Sequence, residues 1–219
     1  MMAGLVVMMA APATAQPTTT IDPVARTAAE AAITMRLADL NARVTLVNQT
    51  PSIGASDRSA LLSELNSTIS GLQALNTTIT NETSVTAFRT EAGDILSTYR
   101  VYALVLPQVH LVRASDEMTA VVIPAFQQLE TDLQSRITAE QQQGKNVAVT
   151  TAAMTDLANQ ITAMQTDTSG VSATLLGFTP AQWNADHTIV SGPRHMLGSA
   201  FSAAGQALKD VRAVRAVLS

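Results

Sequence analysis

An all-α fold, an elongated antiparallel bundle of about five helices, is the architecture the sequence predicts. Three observations carry that expectation. Apolar residues recur at alternating spacings of three and four along most of the chain, the period of a helix face and of a coiled-coil-like heptad seam. No segment sustains the apolar–polar alternation of a strand, and no Asn-Gly or Asp-Gly hairpin signal occurs. Hydrophobic residues make up 47% of the 219-residue chain but aromatic ones only 3%. Such a core of small and aliphatic side chains suits helices in close contact.

The chain opens on an address. The apolar run Ala3–Ala11 is followed by Pro12 and by Ala13-Thr14-Ala15, an A-x-A pattern before Gln16. Residues 1–15 therefore read as a signal peptide, although no Lys or Arg precedes the run. The run is shorter than the roughly 20 apolar residues that cross a bilayer. Residues 16–21 read as a linker and 22–219 as a single helical domain. Cleavage after Ala15 implies a secreted, extracytoplasmic product. Later segments predict no stable membrane span: the apolar stretch Val101–Val112 is interrupted by Pro107, Gln108 and His110.

Asp22-Pro23 opens the first helix, Asp as N-cap and Pro at the first helical position. Its seam is Ile33, Leu37, Leu40, Val44 and Val47, and Thr50-Pro51 with Gly54 ends it. Ser56 or Asp57 is the expected cap of the second helix, whose stripe is Leu62, Leu65, Ile69, Leu72, Leu75 and Ile79. Asn81 to Ser84 reads as a turn. In the third segment the alternation runs from Val85 through Phe88, Ile95, Tyr99, Tyr102 and Leu106 to Val109 without losing phase. That continuity predicts one long helix kinked at Pro107 rather than ended there. The pattern resumes at Met118 and passes Pro124 to Ile137; Gln143-Gly144 stops it. Asn146 is the expected cap of a fourth helix, with a seam from Val147 through Leu157 and Met164 to Leu175 and a stop at Gly177. Thr179-Pro180 starts a helical turn carrying Trp183. Ser191-Gly192-Pro193 opens the last helix, with the expected seam Leu197, Phe201, Ala204, Leu208, Val211 and Leu218.

Several chemistries are disfavoured by what the chain contains. It has no Cys, which removes thiolate metal sites, thiol nucleophiles, covalent haem attachment through CxxCH and a lipoprotein anchor. Net charge is −4, charged residues are 14%, and no basic run exists, so nucleic-acid binding has no electrostatic support. No GxSxG elbow or glycine-rich phosphate loop is present. The histidines His110, His187 and His195 lack metal-ligand spacing. Pairing His195 or His110 with Met35 or Met118 would build a haem site, but methionine at heptad positions is more often core filler. No metal or cofactor is therefore assigned. The sequons at Asn48, Asn66, Asn76 and Asn81 read as by-products of abundant Thr.

The candidate site is a patch at the expected bend: Tyr99, Arg100, Tyr102, His110, Arg113 and Glu117, with Asp116 beside them. Arg113 and Glu117 are one turn apart and can pair, and Asp116 competes for the same arginine. The favoured reading is a surface ion pair beside a proline; the functional reading is a recognition patch.

The stretch from Tyr99-Arg100-Val101-Tyr102 through Leu106-Pro107-Gln108 to Val112 resembles one in uncharacterised secreted helical proteins of GC-rich bacteria, actinobacteria especially. The resemblance covers much of 22–137; the C-terminal third departs from it. It implies export and a coiled, helical architecture, and it brings no activity. The expected function is a non-enzymatic secreted helical protein with a structural or protein-interaction role at the cell envelope, with a protein or envelope partner. The alternative is a carrier of a small ligand, metal or haem in the bundle interior.

Overall fold

The computed structural model describes residues 20–218. The signal peptide expected over residues 1–15, and most of the linker, lie outside them. The protein is all-helical: 85% of it is helix, with no strand among the described residues and about six principal helices. Helix α1 is Pro23–Gln49, α2 Ala55–Asn81 and α3 Val85–Ser97. Helix α4 runs without a gap through Val101–Val105, Leu106–Glu117, Met118–Val122 and Ile123–Gln142. Then come α5 (Ala148–Thr168), the short α6 (Val171–Leu176) and α7 (Pro180–Ala185), and α8 (Ser191–Val217).

The first hairpin is tied at both ends by arginines. Asp22 caps α1 by accepting from the Val24 N–H at 2.9 Å, with Pro23 in the first turn. Neither α1 nor α2 has a basic residue in its last turn to meet the negative end of its dipole. Each borrows one from the start of the other. Arg26 of α1 donates to the carbonyls of Ile79 (2.9 Å), Thr80 and Glu82 (2.5 Å) at the end of α2. Arg58 of α2 donates to Val47, to Asn48 (3.0 Å), to Thr50 (2.7 Å) and to Ile53 (3.2 Å) at the end of α1. These contacts make the pair antiparallel and satisfy carbonyls that have no intrahelical partner.

The second helix is capped two to three residues before the expected Ser56 or Asp57. Gly54 is its N-cap, and Asp57 sits in the first turn instead. The third segment also departs from the expectation of one helix from Ser84 onward. It breaks at 98–100, upstream of Pro107, where Arg100 takes the left-handed conformation at φ 42, ψ 35. Beyond the break the helix passes both prolines. The turns before them are π-type: the Leu106 N–H reaches Val101 O and the Ile123 N–H reaches Met118 O, each five residues back. In an ordinary α-turn the rings of Pro107 and Pro124 would collide with the carbonyls of Ala103 and Ala120. A widened turn moves those carbonyls aside, so the helix continues for about 60 Å.

Two apolar cores lie along α4. The first gathers Ile33, Leu40, Leu65, Leu72, Ile79 and Leu104, with Val171, Leu175 and Leu197 joining from later in the chain. The second gathers Met118, Leu133, Leu157, Met164, Ala200, Ala207 and Val214. Helix α5 returns along the second half of α4, and α8 packs along α5. Val147, Thr150, Met154, Leu157, Ile161, Met164 and Thr168 are buried, and α5 stops at Ser169-Gly170 (Gly170 φ 71) rather than at the expected Gly177. Val171 and Leu175 belong to α6. The α8 seam is corrected more deeply. Leu197 and Val211 are buried as expected, but Ala200, Ala203 and Ala207 carry the middle of the contact while Phe201 and Leu208 face outward. Two helices approach closely only where side chains are small, so alanine wins the interface over the larger residues.

Candidate functional site

The predicted patch is divided among several neighbours. The Tyr99 ring lies against Gly71 of α2, where a Cβ would sit 2.6 Å from the ring edge. Tyr102 turns to α1: its hydroxyl donates to Asp39 Oδ2 at 2.7 Å, and the Arg36 guanidinium stacks 5.0 Å from its ring centroid. The bond to Asp39, then loss of water, raises the Tyr102 pKa. Arg36 is 7% exposed, and its Nη1 donates to Ala32 O at 2.9 Å. Arg100 turns instead to α7, where its Nε donates to Asn184 Oδ1 at 2.5 Å; Asn184 Nδ2 returns a bond to Ser97 O at 2.8 Å. This closed pair clamps the break from outside and holds a bulky residue in a backbone region that costs about 1 kcal/mol or more.

His110 sits about one helical turn before Arg113 on α4, within reach of the Arg43 charge on α1. Removal of water, then the charges of Arg43 and Arg113, lower the His110 pKa. Glu117 is exposed. Gln108, absent from the predicted patch, is buried and bridges two carbonyls, Leu175 O at 2.7 Å and Phe178 O at 2.9 Å. Its Nε2 thereby holds the end of α6 against α4.

Sequence reasoning missed a second cluster, at the junction of the two cores. Asp116 on α4 accepts from the Gly54 N–H at 3.0 Å and from the Ser172 hydroxyl at 2.9 Å. Asp57 on α2 joins it. Loss of water, then the Asp116 charge and a hydrogen bond with its carboxyl, raise the Asp57 pKa. A bond between two carboxyls requires a proton on one of them. The pair borders an open cleft of about 600 Å³ with Ser115, Thr119, Gln165 and Thr168 on its walls. No local signal could have found it, since positions 57 and 116 meet only through the fold; Asp116 was legible only beside Glu117.

The histidines stay apart: His110 is on α4, His187 packs on Trp183 at 5.6 Å between centroids, and His195 is exposed on α8. Among the described residues no three His, Asp or Glu side chains gather as a metal-holding group. Met35 is exposed and Met118 is buried in the second core. No helix among the described residues is long and apolar enough to cross a membrane. No protein-family model, curated protein or solved structure matches the chain.

Proposed function

We propose that the chain is a non-enzymatic, secreted helical protein that works by presenting helix surface to a partner at the cell envelope. On this reading it is an elongated bundle with coiled-coil-like seams, belonging with the secreted helical proteins that the Tyr99–Val112 stretch resembles. One observation carries the reading: the distinctive polar groups are spent on joining helices. Tyr102, Arg100, Gln108 and Asp116 each bond a residue on another element. Groups committed in this way hold a frame and are poorly placed to bind and release a substrate. Two cores in series on one continuous helix give such a frame length.

The test is photo-crosslinking in cells that export the chain, with the reactive side chain placed in turn at the exposed positions Met35, Val121 and Phe201. The reading expects a mature chain beginning at Gln16 in the envelope or medium and a discrete adduct from at least one position. A full-length chain kept in the cytoplasm, or monomer alone at all three positions, overturns it.

A further inference from the structure

We propose that the outer face of α8 is a docking surface for an anionic lipid membrane, on which the helix lies flat. The proposal deepens the envelope reading, but vesicle binding by purified protein is measured independently of it.

The face is continuous. Arg194, Phe201, Leu208, Arg212 and Arg215, with Gly198 and Gly205 between them, succeed one another by alternating steps of four and three. They therefore form one line along the helix, on a different face from the buried alanines. Phe201 is 52% and Leu208 41% exposed, although both have the size and apolarity of core residues. The two glycines leave the helix backbone low between them, with nothing within 4 Å of where a side chain would begin.

Charge selects the partner. The protein carries a net −4, yet α8 holds Arg194, Lys209, Arg212 and Arg215 against a single acid, Asp210, which is buried. Among the described residues the one ion pair is Lys145 with Glu140, so the three arginines of the line are unpaired. Two acids of α5 lie by α8: Asp156 acts on Asp210, and Asp167 shares a groove with Ser202, Gly205 and Lys209. Arg136 of α4, bonded to Leu218 O at 3.3 Å, adds a cation beside the end of α8.

Apolar anchors bracketed by arginines match the boundary between lipid headgroups and acyl chains. Phe and Leu enter the apolar layer while guanidinium groups bind phosphate oxygens. An acidic protein would also satisfy the arginines. A lipid surface better explains two large apolar side chains standing apart on a line otherwise made of glycines and arginines, since it needs no complementary pocket to receive them.

The experiment is co-sedimentation of the full chain with vesicles of phosphatidylcholine, or of phosphatidylcholine with about a third phosphatidylglycerol. Binding is expected only to the anionic vesicles and should weaken with salt. The triple variant R194Q/R212Q/R215Q should bind on the order of a hundredfold less tightly. Phe201→Ser with Leu208→Ser should lose about tenfold or more. Val24→Ser with Met35→Ser, two exposed apolar residues of α1, should change nothing. Circular dichroism checks that each variant is folded; a variant that unfolds is replaced by a single substitution of the same face. Equal binding to both vesicles, no binding to either, or sensitivity only to the α1 pair overturns the proposal. So does anion binding that ignores the Phe201–Leu208 change and is matched by a soluble polyanion.

Discussion

The two cores along α4 are built from different materials. Leucine and isoleucine dominate the first, and polar side chains lock its helices together: Arg26, Arg58, Tyr102 and Gln108 all bond to a different helix or its end. Alanine and methionine contribute much of the second. There, among the described residues, Arg136 to Leu218 O is the side-chain hydrogen bond that joins separate helices. Directional bonds fix helix ends and register, whereas close contact between alanines fixes only the distance between helices. The first region is therefore a tied frame, and the second is a packed one.

Removing a tie should have the largest effect. Arg58→Ala leaves the last carbonyls of α1 without their donor and should cost about 3 kcal/mol in urea unfolding. An equal loss in a matched exposed arginine such as Arg89 would show that the ties are not special. Ala207→Leu attacks the second core by forcing α5 and α8 apart; about 1–3 kcal/mol should be lost, with the α1–α2 hairpin unaffected by NMR shifts. Gly71→Ala is expected to cost about 1 kcal/mol despite alanine's better helix propensity, because the new methyl meets the Tyr99 ring. Adding Tyr99→Ala should turn the same change at position 71 into a gain.

The smallest effect has the opposite sign. Asp210 is buried on α8; loss of water, then the Asp156 charge, raise its pKa. A raised carboxyl binds its proton more tightly when folded, so its contribution is most favourable below the unfolded value near about 3.9. Stability is lost as pH rises through the folded value. Asp210→Asn should raise the melting temperature at neutral pH, and that gain should vanish in acid. A gain that persists unchanged in acid would detach it from ionisation.

The same contrast decides how much could be read beforehand. The burial along α5 is readable because most of its buried positions are aliphatic or methionine residues at helical spacing. The α8 seam was half legible: ranking by size favours Phe201 and Leu208, but a close interface selects Ala200, Ala203 and Ala207. The break at Arg100 leaves no local sign, since arginine in a left-handed turn is held there by Asn184, far along the chain. The π-turns were hidden behind prolines whose apolar phase continued past them. Of the candidate patch, the residue types were legible and their partners were not. Asp39, Gly71 and Asn184 come from separate elements, and so do the two carboxyls of Asp57 and Asp116.

Native-state hydrogen exchange tests the difference between tied and packed regions most directly. Amides in the middle of α1 and α2 should exchange only through global unfolding, while those of α5 and the second half of α8 should open at lower free energy. Arg58→Ala should bring the first set down toward the second. Uniform protection along all four helices, or the reverse order, would contradict the account.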